Sequence, residues 1–267
     1  MEFDYIVADP TGNITVLVRS HYTAENRQQI INESFAKEPS CEQAGFIMPV
    51  SGKTIRLEMM GYEFCGHATL SAAAYLAHAN GLKTGGTDTI MVDSSGADEL
   101  LEVGLKHASD EPVYTGTVRM PVPEVSSFRG YPLVSFDGIS HMIIPSDIYT
   151  DEQAESLIRE YASELKVSAL GMMLCDDYDE LCSGRNEDAG IYIRPLVYVQ
   201  GSDTLFWEHG CATGSTALGW YRYHLSGIAS TEINQPGGTI HVDVTDGRPS
   251  LTATVALSSG RASTRPL

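Results

Sequence analysis

The stretch that decides the fold is Glu63-Phe64-Cys65-Gly66-His67-Ala68-Thr69-Leu70, which places a cysteine in a glycine-containing turn. The run that follows, up to Ala77, is rich in alanine and typical of a buried helix. A matching stretch, Trp207-Glu208-His209-Gly210-Cys211-Ala212-Thr213-Gly214-Ser215, lies in the other half of the chain and precedes a second helical run. The two stretches predict two similar halves, each built around one helix that begins just after a cysteine.

Strand-like segments outnumber helical ones on both sides of Pro121-Val122-Pro123, which we interpret as a linker. Many strands and few helices predict an α+β fold rather than a doubly wound sheet. The predicted domains are residues 1–120, which carry Cys65, and 121–257, which carry Cys211. The C-terminal tail, residues 258–267, is a candidate addition to the first domain.

Composition restricts the partners of the chain. Its net charge of −18 over 267 residues predicts no binding to nucleic acid or to anionic membranes. No run of 18 apolar residues and no signal-peptide pattern is present, and the five cysteines form no disulfide framework. These features predict a cytoplasmic protein with a small-molecule ligand.

The two cysteine turns predict proton transfer at a carbon atom. Removing the α-proton of an amino acid and returning it from the other side requires a base, an acid and stabilisation of the developing charge. A cysteine has a free pKa of about 8.5, which a helix N-terminus lowers. Cys65 and Cys211 are therefore the predicted catalytic pair, one on each side of a single cleft, in an amino-acid racemase.

The same turns predict where the substrate carboxylate binds. Backbone amides at a helix N-terminus bind anions, and those of Gly66, His67, Ala68, Ala212 and Thr213 are the candidates. The chain has no CxxC or HxxxH spacing, so we expect no metal site, and it has no lysine motif for a cofactor. The expected activity is independent of cofactors.

At the cysteine turns and at Gly12-Asn13, the chain resembles the diaminopimelate epimerase superfamily, which includes proline racemases and phenazine-biosynthesis isomerases. The resemblance implies two pseudo-symmetric domains, each a strand barrel wrapped around a central helix, with the active site between them. It also implies that Asn13 contacts the substrate. The expected partners are an amino acid and, in a homodimer, a second copy of the chain.

Further stretches resemble the histidine racemases of staphylopine-type metallophore biosynthesis, namely Cys41-Glu42-Gln43-Ala44-Gly45-Phe46-Ile47, Gly171-Met172-Met173-Leu174 and Gln235-Pro236-Gly237-Gly238. This resemblance implies conversion of L-histidine to D-histidine. Glu42 is the candidate acceptor for the imidazole, and Glu208 is a candidate to orient the ammonium group or tune the thiol. The segment before Cys211 lacks the arginine of diaminopimelate epimerases, which argues against diaminopimelate as substrate.

Several alternatives remain open at the level of sequence. The chain could be a diaminopimelate epimerase or another amino-acid racemase. It could be a phenazine-type isomerase with a single acid/base, although such enzymes usually carry an acidic residue where Cys211 stands. It could also be a hydrolase with a cysteine nucleophile and with His67 or His209 as its base. Asn13 could be only a turn residue, and Glu42 only a solvated strand start.

Overall fold

The computed structural model describes residues 3–176, 178–183, 190–201 and 203–262, and the chain divides into two compact units. The first unit contains the residues up to Val118 and those from Ala253 onward, and the second is Arg119–Thr252. Both units combine many strands with few helices. The predicted α+β class is confirmed.

The first unit is a closed barrel around one helix. Its elements are β1 (Phe3–Pro10), β2 (Thr15–Val18), α1 (Ala24–Lys37), β3 (Gln43–Ser51), β4 (Thr54–Met59), α2 (Gly66–Ala79), β5 (Thr87–Ser94), β6 (Leu101–His107), β7 (Val113–Arg119) and the later part of β16 (Arg248–Ala262). Strand β16 pairs with both β7 and β1, so the order β1-β2-β3-β4-β5-β6-β7-β16 closes on itself.

Helix α2 fills the barrel because its side chains are small. It packs against β1, β2, β3, β4, β5 and β6, and nearly all of its residues are buried. Ala68, Ala72, Ala73, Ala74 and Ala77 are completely buried, which lets the strands approach the helix from every side. The alanine-rich run after Cys65 therefore forms the centre of the first unit, as predicted.

The second unit wraps a sheet around α5. Its elements are β8 (Glu124–Phe128), β9 (Tyr131–Phe136), β10 (Ile139–Pro145), α3 (Asp151–Leu165), β11 (Ala169–Cys175), α4 (Tyr178–Ser183), β12 (Ile191–Val199), β13 (Thr204–Trp207), α5 (Ala212–Ser226), β14 (Ser230–Gln235), β15 (Gly238–Thr245) and the start of β16. The strand order is β16-β15-β14-β12-β11-β10-β9-β8, and β13 pairs with β12. Helix α5 contacts β14 and β15 as well as β9 and β10, so strands from distant parts of the order surround it.

The two units repeat the same connections. In the first, α1 joins the parallel pair β2 and β3, and α2 joins the parallel pair β4 and β5. In the second, α3 joins the parallel pair β10 and β11, and α5 lies on the connection between the parallel strands β12 and β14. Each cysteine-capped helix is thus a crossover connection in its own unit, which confirms the predicted pseudo-symmetry.

The sequence pattern does not reveal two of the strands, β8 and β14. Strand β8 is mostly exposed, so it lacks the hydrophobic alternation that marks a strand. Strand β14 does alternate, but two of its three buried positions are the polar Thr231 and Gln235. In the described part of the chain, no helix is long and apolar enough to cross a membrane.

Candidate active site

Cys65 lies immediately before α2 and caps its N-terminus. Its backbone is extended, with φ −133° and ψ 113°, and its Sγ accepts a hydrogen bond from the Ala68 amide at 3.5 Å. The Thr69 hydroxyl donates to the Cys65 carbonyl at 2.8 Å. Because the N-terminus of a helix is locally positive, the sulfur lies where a thiolate is stabilised.

Cys211 repeats this arrangement at α5. Its φ of −123° and ψ of 108° are close to those of Cys65, and its Sγ accepts from the Gly214 amide at 3.4 Å. The Ser215 hydroxyl donates to the Cys211 carbonyl at 2.7 Å. The two cysteines therefore share one local geometry in two separate units, as expected from the matching turns.

Each helix also presents two amides at its N-terminus. The amides of Gly66 and His67 in α2, and those of Ala212 and Thr213 in α5, make no hydrogen bond within the described ranges. Such amides are suited to an anion. The Ala68 amide differs, because it already donates to the cysteine sulfur. Ala68 therefore contributes to holding the thiol.

A chain of side-chain hydrogen bonds leads away from Cys65. Its thiol donates to Gln43 Oε1 at 3.2 Å, and Gln43 Nε2 donates to Asn13 Oδ1 and, at 2.8 Å, to Thr15 Oγ1. Asn13 Nδ2 donates to Glu42 Oε2 at 2.8 Å. The structure therefore brings the predicted residues Asn13 and Glu42 together with Cys65, and Gln43 links them.

Gln235 supports Cys211 through the backbone. Its Oε1 accepts from the Cys211 amide at 2.7 Å, and its Nε2 donates to the Ser215 hydroxyl at 2.8 Å. Since Ser215 in turn binds the Cys211 carbonyl, the glutamine and the serine hold both polar backbone groups of the cysteine. The family resemblance includes Gln235 without giving it a role, and the structure shows that its side chain fixes the backbone of Cys211.

The Cys211 thiol has polar neighbours of its own. Its Sγ lies 3.7 Å from Thr213 Oγ1, which is 2.9 Å from Nε2 of the fully buried His141. Burial raises the pKa of the Cys211 thiol well above its ordinary value, and the Glu208 carboxylate, which accepts a hydrogen bond from the thiol, raises it further. The Gly214 amide and Thr213 oppose this rise. Together these influences favour the protonated thiol at Cys211.

A family model described as the histidine racemase CntK N-terminal domain matches residues 2–258. The chain belongs to the histidine racemase family. This confirms the resemblance that the cysteine turns predicted, and it makes the protein an isomerase of the amino-acid racemase class. The roles of the individual site residues stay predictions.

Curated relatives agree with membership of the histidine racemase family, and a solved structure shares the fold. A histidine racemase of Fusobacterium nucleatum is 31% identical over 245 residues, which cover 88% of this chain and 87% of the relative. A histidine racemase of Staphylococcus aureus is 28% identical over 247 residues, covering 88% and 85%. A predicted epimerase of Pseudomonas aeruginosa has the same fold, with a TM-score of 0.71, 14% identity and coverage of 99% and 100%.

Three residues around the two cysteines were not predicted from the sequence of this histidine racemase family member, namely Gln43, Gln235 and His141. Gln43 and Gln235 belong to stretches that carry the family resemblance, but the resemblance gives their side chains no role. His141 lies in β10, which is buried at five consecutive positions and shows no alternation that would single it out. A polar residue at an inward strand position was the available indication for Gln235 and His141, because such residues need partners when buried.

Two histidines in this family member are buried in the neutral form. Burial lowers the pKa of His67 and of His141 to about 3, and one ring nitrogen of each has no hydrogen-bond partner in the described structure. A hydrolase base must accept a proton near neutral pH, and a pKa of about 3 does not fit that role.

Among the described residues, no group of three His, Cys, Asp or Glu side chains could hold a metal ion.

The buried histidines predict a loss of stability in acid. The unfolded chain binds a proton at each histidine below a pKa of about 6.5, whereas the folded chain does so only near 3, so stability falls as the pH decreases through this window. Between pH 7 and pH 5 we expect each histidine to cost about 2 kcal/mol. Urea unfolding of wild type and of His141→Gln at both pH values measures this difference.

The His141→Gln variant should therefore lose less stability than wild type between pH 7 and pH 5. Substitution of the surface residue His21, which is exposed, is the control and should leave the pH dependence unchanged. Equal pH dependence in wild type and His141→Gln would show that His141 is not held neutral by burial.

Proposed function

We propose that this chain interconverts L- and D-histidine without a cofactor, with Cys65 and Cys211 as the two proton-transferring groups. The observation that carries the mechanism is the duplicated cysteine cap: each unit presents one sulfur and two amides at the N-terminus of a central helix. Membership of the histidine racemase family supports the substrate. Because all five cysteines are free thiols, we place the protein in the cytoplasm.

The reaction needs one thiolate and one thiol. The thiolate removes the proton from the α-carbon, and the electron pair of the broken C–H bond moves into the carboxylate, which gains enediolate character. The thiol then delivers its proton to the opposite face of the α-carbon, which inverts the configuration. At the end the first sulfur is protonated and the second is a thiolate, so the reverse reaction uses the same groups with exchanged roles.

The amides at the helix N-termini stabilise the developing charge. Those of Gly66, His67, Ala212 and Thr213 are suited to the carboxylate, whose negative charge increases as the proton leaves. Such donors are already fixed by the helices, so no reorganisation is required during the reaction. This leaves the imidazole group of histidine to be recognised by other residues.

The environments of the two sulfurs support different tendencies to ionise. Burial and Glu208 keep the Cys211 thiol protonated, because both disfavour a second negative charge at this position. Cys65 is less buried than Cys211 and caps its helix in the same way. We infer that Cys65 ionises more readily than Cys211, so Cys65 is the base and Cys211 the acid in one direction of the reaction, with the roles exchanged in the other.

Glu42 is our candidate for recognising the imidazole. Its carboxylate is partly buried beside the Cys65 half-site and already accepts one hydrogen bond from Asn13. A carboxylate has several acceptor positions, so it can also accept from an imidazole N–H. Glu42 thus offers what the histidine side chain needs, at the residue that the family resemblance indicates.

Replacing Glu42 by glutamine should weaken the recognition of histidine. A hydrogen bond to a charged acceptor contributes more than one to a neutral acceptor, so we expect KM for L-histidine to rise about 10-fold. The exposed Glu160 provides the matched control, and Glu160→Gln should keep the wild-type value. An unchanged KM in Glu42→Gln would remove Glu42 from the recognition of the substrate.

A chiral assay in D₂O tests the proposed function directly. L-histidine should yield D-histidine, and deuterium should appear at the α-carbon of the product, because the returned proton comes from a thiol that exchanges with solvent. We expect diaminopimelate to react poorly, since no arginine precedes Cys211 in the segment where diaminopimelate epimerases carry one. Faster turnover of another amino acid than of histidine would overturn the substrate assignment.

A further inference from the structure

The hydrogen-bond chain beside Cys65 has a fixed direction. At one end the Glu42 carboxylate, when ionised, can only accept, so the Asn13 amide group must face it. Asn13 then presents its Oδ1 to Gln43, which must donate through Nε2. The Thr15 hydroxyl donates its hydrogen to the backbone carbonyl of Asn13 at 3.0 Å. The Thr15 oxygen can then only accept from Gln43, which donates through Nε2.

The direction of the chain determines what Gln43 offers to the cysteine. With both hydrogens of Nε2 used by Asn13 and Thr15, only Oε1 is left to face the sulfur, at 3.2 Å. A carbonyl oxygen stabilises an S–H donor and repels a thiolate. Gln43 is buried, with 8% of its surface exposed, so it cannot turn towards solvent without breaking these bonds.

We propose that Gln43, oriented by Glu42 through Asn13, holds Cys65 as a neutral thiol in the free enzyme and is a positioning residue for its ionisation. Opposing influences then act on Cys65: the helix N-terminus and the Ala68 amide favour the thiolate, whereas Gln43 favours the thiol. This deepens the proposed function, because it sets the resting state of the proposed base. It also links the imidazole acceptor Glu42 to the reacting sulfur.

The other titratable groups assigned near Cys65 tend to be neutral or bind other partners. Glu63 and His67 flank Cys65 in sequence; burial raises the pKa of Glu63 and lowers that of His67, so both tend towards their neutral forms. Cys41 is buried, its pKa is raised to about 11, and its thiol donates to the Gln43 carbonyl. The remaining carboxylates with assigned partners on strands packed against α2 are engaged elsewhere, namely Asp9 with the Gly12 amide, Glu58 with Tyr22, Asp88 with Lys53 and Asp93 with Arg56.

Alkylation of Cys65 in the free enzyme tests this inference without using substrate. Iodoacetamide reacts with thiolates, so the rate below the thiol pKa reports the thiolate fraction, and peptide mass spectrometry assigns it to Cys65. Gln43→Met keeps the side-chain length but removes the acceptor, and alkylation at pH 7 should become about 2- to 10-fold faster. Gln43→Glu places a negative charge at the same position and should slow it.

Opposite effects of the two Gln43 variants separate this role from a structural one, because general loosening would accelerate both. Glu42→Gln gives a third measurement should Gln43→Met fail to fold. Its amide can donate as well as accept, so the chain can reverse and Gln43 can turn Nε2 to the sulfur, which should accelerate alkylation. The exposed Gln29, which bonds Glu33 on α1, supplies the control Gln29→Met, with an unchanged rate expected.

The outcomes distinguish this inference from the proposed function. Slower or equal alkylation in Gln43→Met, or equal rates in Gln43→Glu and wild type, would overturn the role of Gln43, even if histidine is racemised. Failure of the chiral assay with histidine would overturn the substrate while leaving the thiol measurement intact. If the Gln43 variants change alkylation as expected and the chiral assay shows racemisation of histidine, Gln43 controls the ionisation of a sulfur that acts in the racemase.

Discussion

Replacing Cys65 or Cys211 by serine is expected to reduce racemisation of histidine by about 10²- to 10⁴-fold, the range of general acid–base contributions. Serine preserves the helix cap, since its oxygen can accept from the same amide as the sulfur does. It fails in proton transfer because its hydroxyl is a far weaker acid than a thiol: the alkoxide needed as the base is not populated near neutral pH, and the neutral hydroxyl is a poor proton donor.

The two serine variants also predict a difference between exchange and inversion. With one sulfur left, the enzyme can still remove and return a proton on one face, so each variant should exchange the α-proton of one enantiomer more than that of the other. Cys182→Ser, in the short helix α4, is the control and should keep wild-type activity. Wild-type racemisation in either Cys65→Ser or Cys211→Ser would remove that cysteine from the mechanism.

The second large effect concerns stability, and it arises at Gly96. This glycine has a φ of +69°, and a Cβ added to it would lie 2.3 Å from the Phe64 nitrogen and 2.8 Å from the Glu63 carbonyl carbon. Both contacts are with backbone just before Cys65, which cannot yield as a flexible side chain would. We expect Gly96→Ala to destabilise the protein by about 3 kcal/mol or more.

Gly85 supplies a matched control for this steric argument. Its φ is +77°, similar to that of Gly96, but no atom lies within 4 Å of an added Cβ. Gly85→Ala should therefore lower the free energy of unfolding by only about 1 kcal/mol, the cost of a Cβ at a positive φ. Urea unfolding of both variants measures the difference, and equal destabilisation would mean that the close approach to the Cys65 turn contributes nothing.

The sequence was sufficient to predict the central helices and their cysteine caps. The reason is that these features are local: an alanine-rich run, a preceding turn and a capping side chain within three residues of its amide partner. The repetition of the motif also made the pseudo-symmetry predictable. Family resemblance added Asn13 and Glu42, which the structure brings together with Cys65.

The partners of the two cysteines could not be predicted in the same way. Gln235 reaches Cys211 because β14 lies parallel to β12 in a particular register, and His141 reaches Thr213 from β10. Such contacts depend on how strands are ordered and aligned, which a pattern of polar and apolar residues does not specify. The orientation of the Gln43 amide depends on a whole network, so no single position reveals it.

The division of β16 between the two units has a consequence for synthesis on the ribosome. Strand β1 needs the segment from Val255 to Ala262 as its partner, although β1 is made first. Residues emerge at roughly 5–20 per second, so the N-terminal barrel waits many seconds for the strand that closes it. During that interval the edge of β1 that will pair with β16 lacks this partner and is open to non-native pairing. The first unit to be translated is thus the last to be completed, and a nascent chain that ends before Ala253 should depend on chaperones to remain free of aggregation.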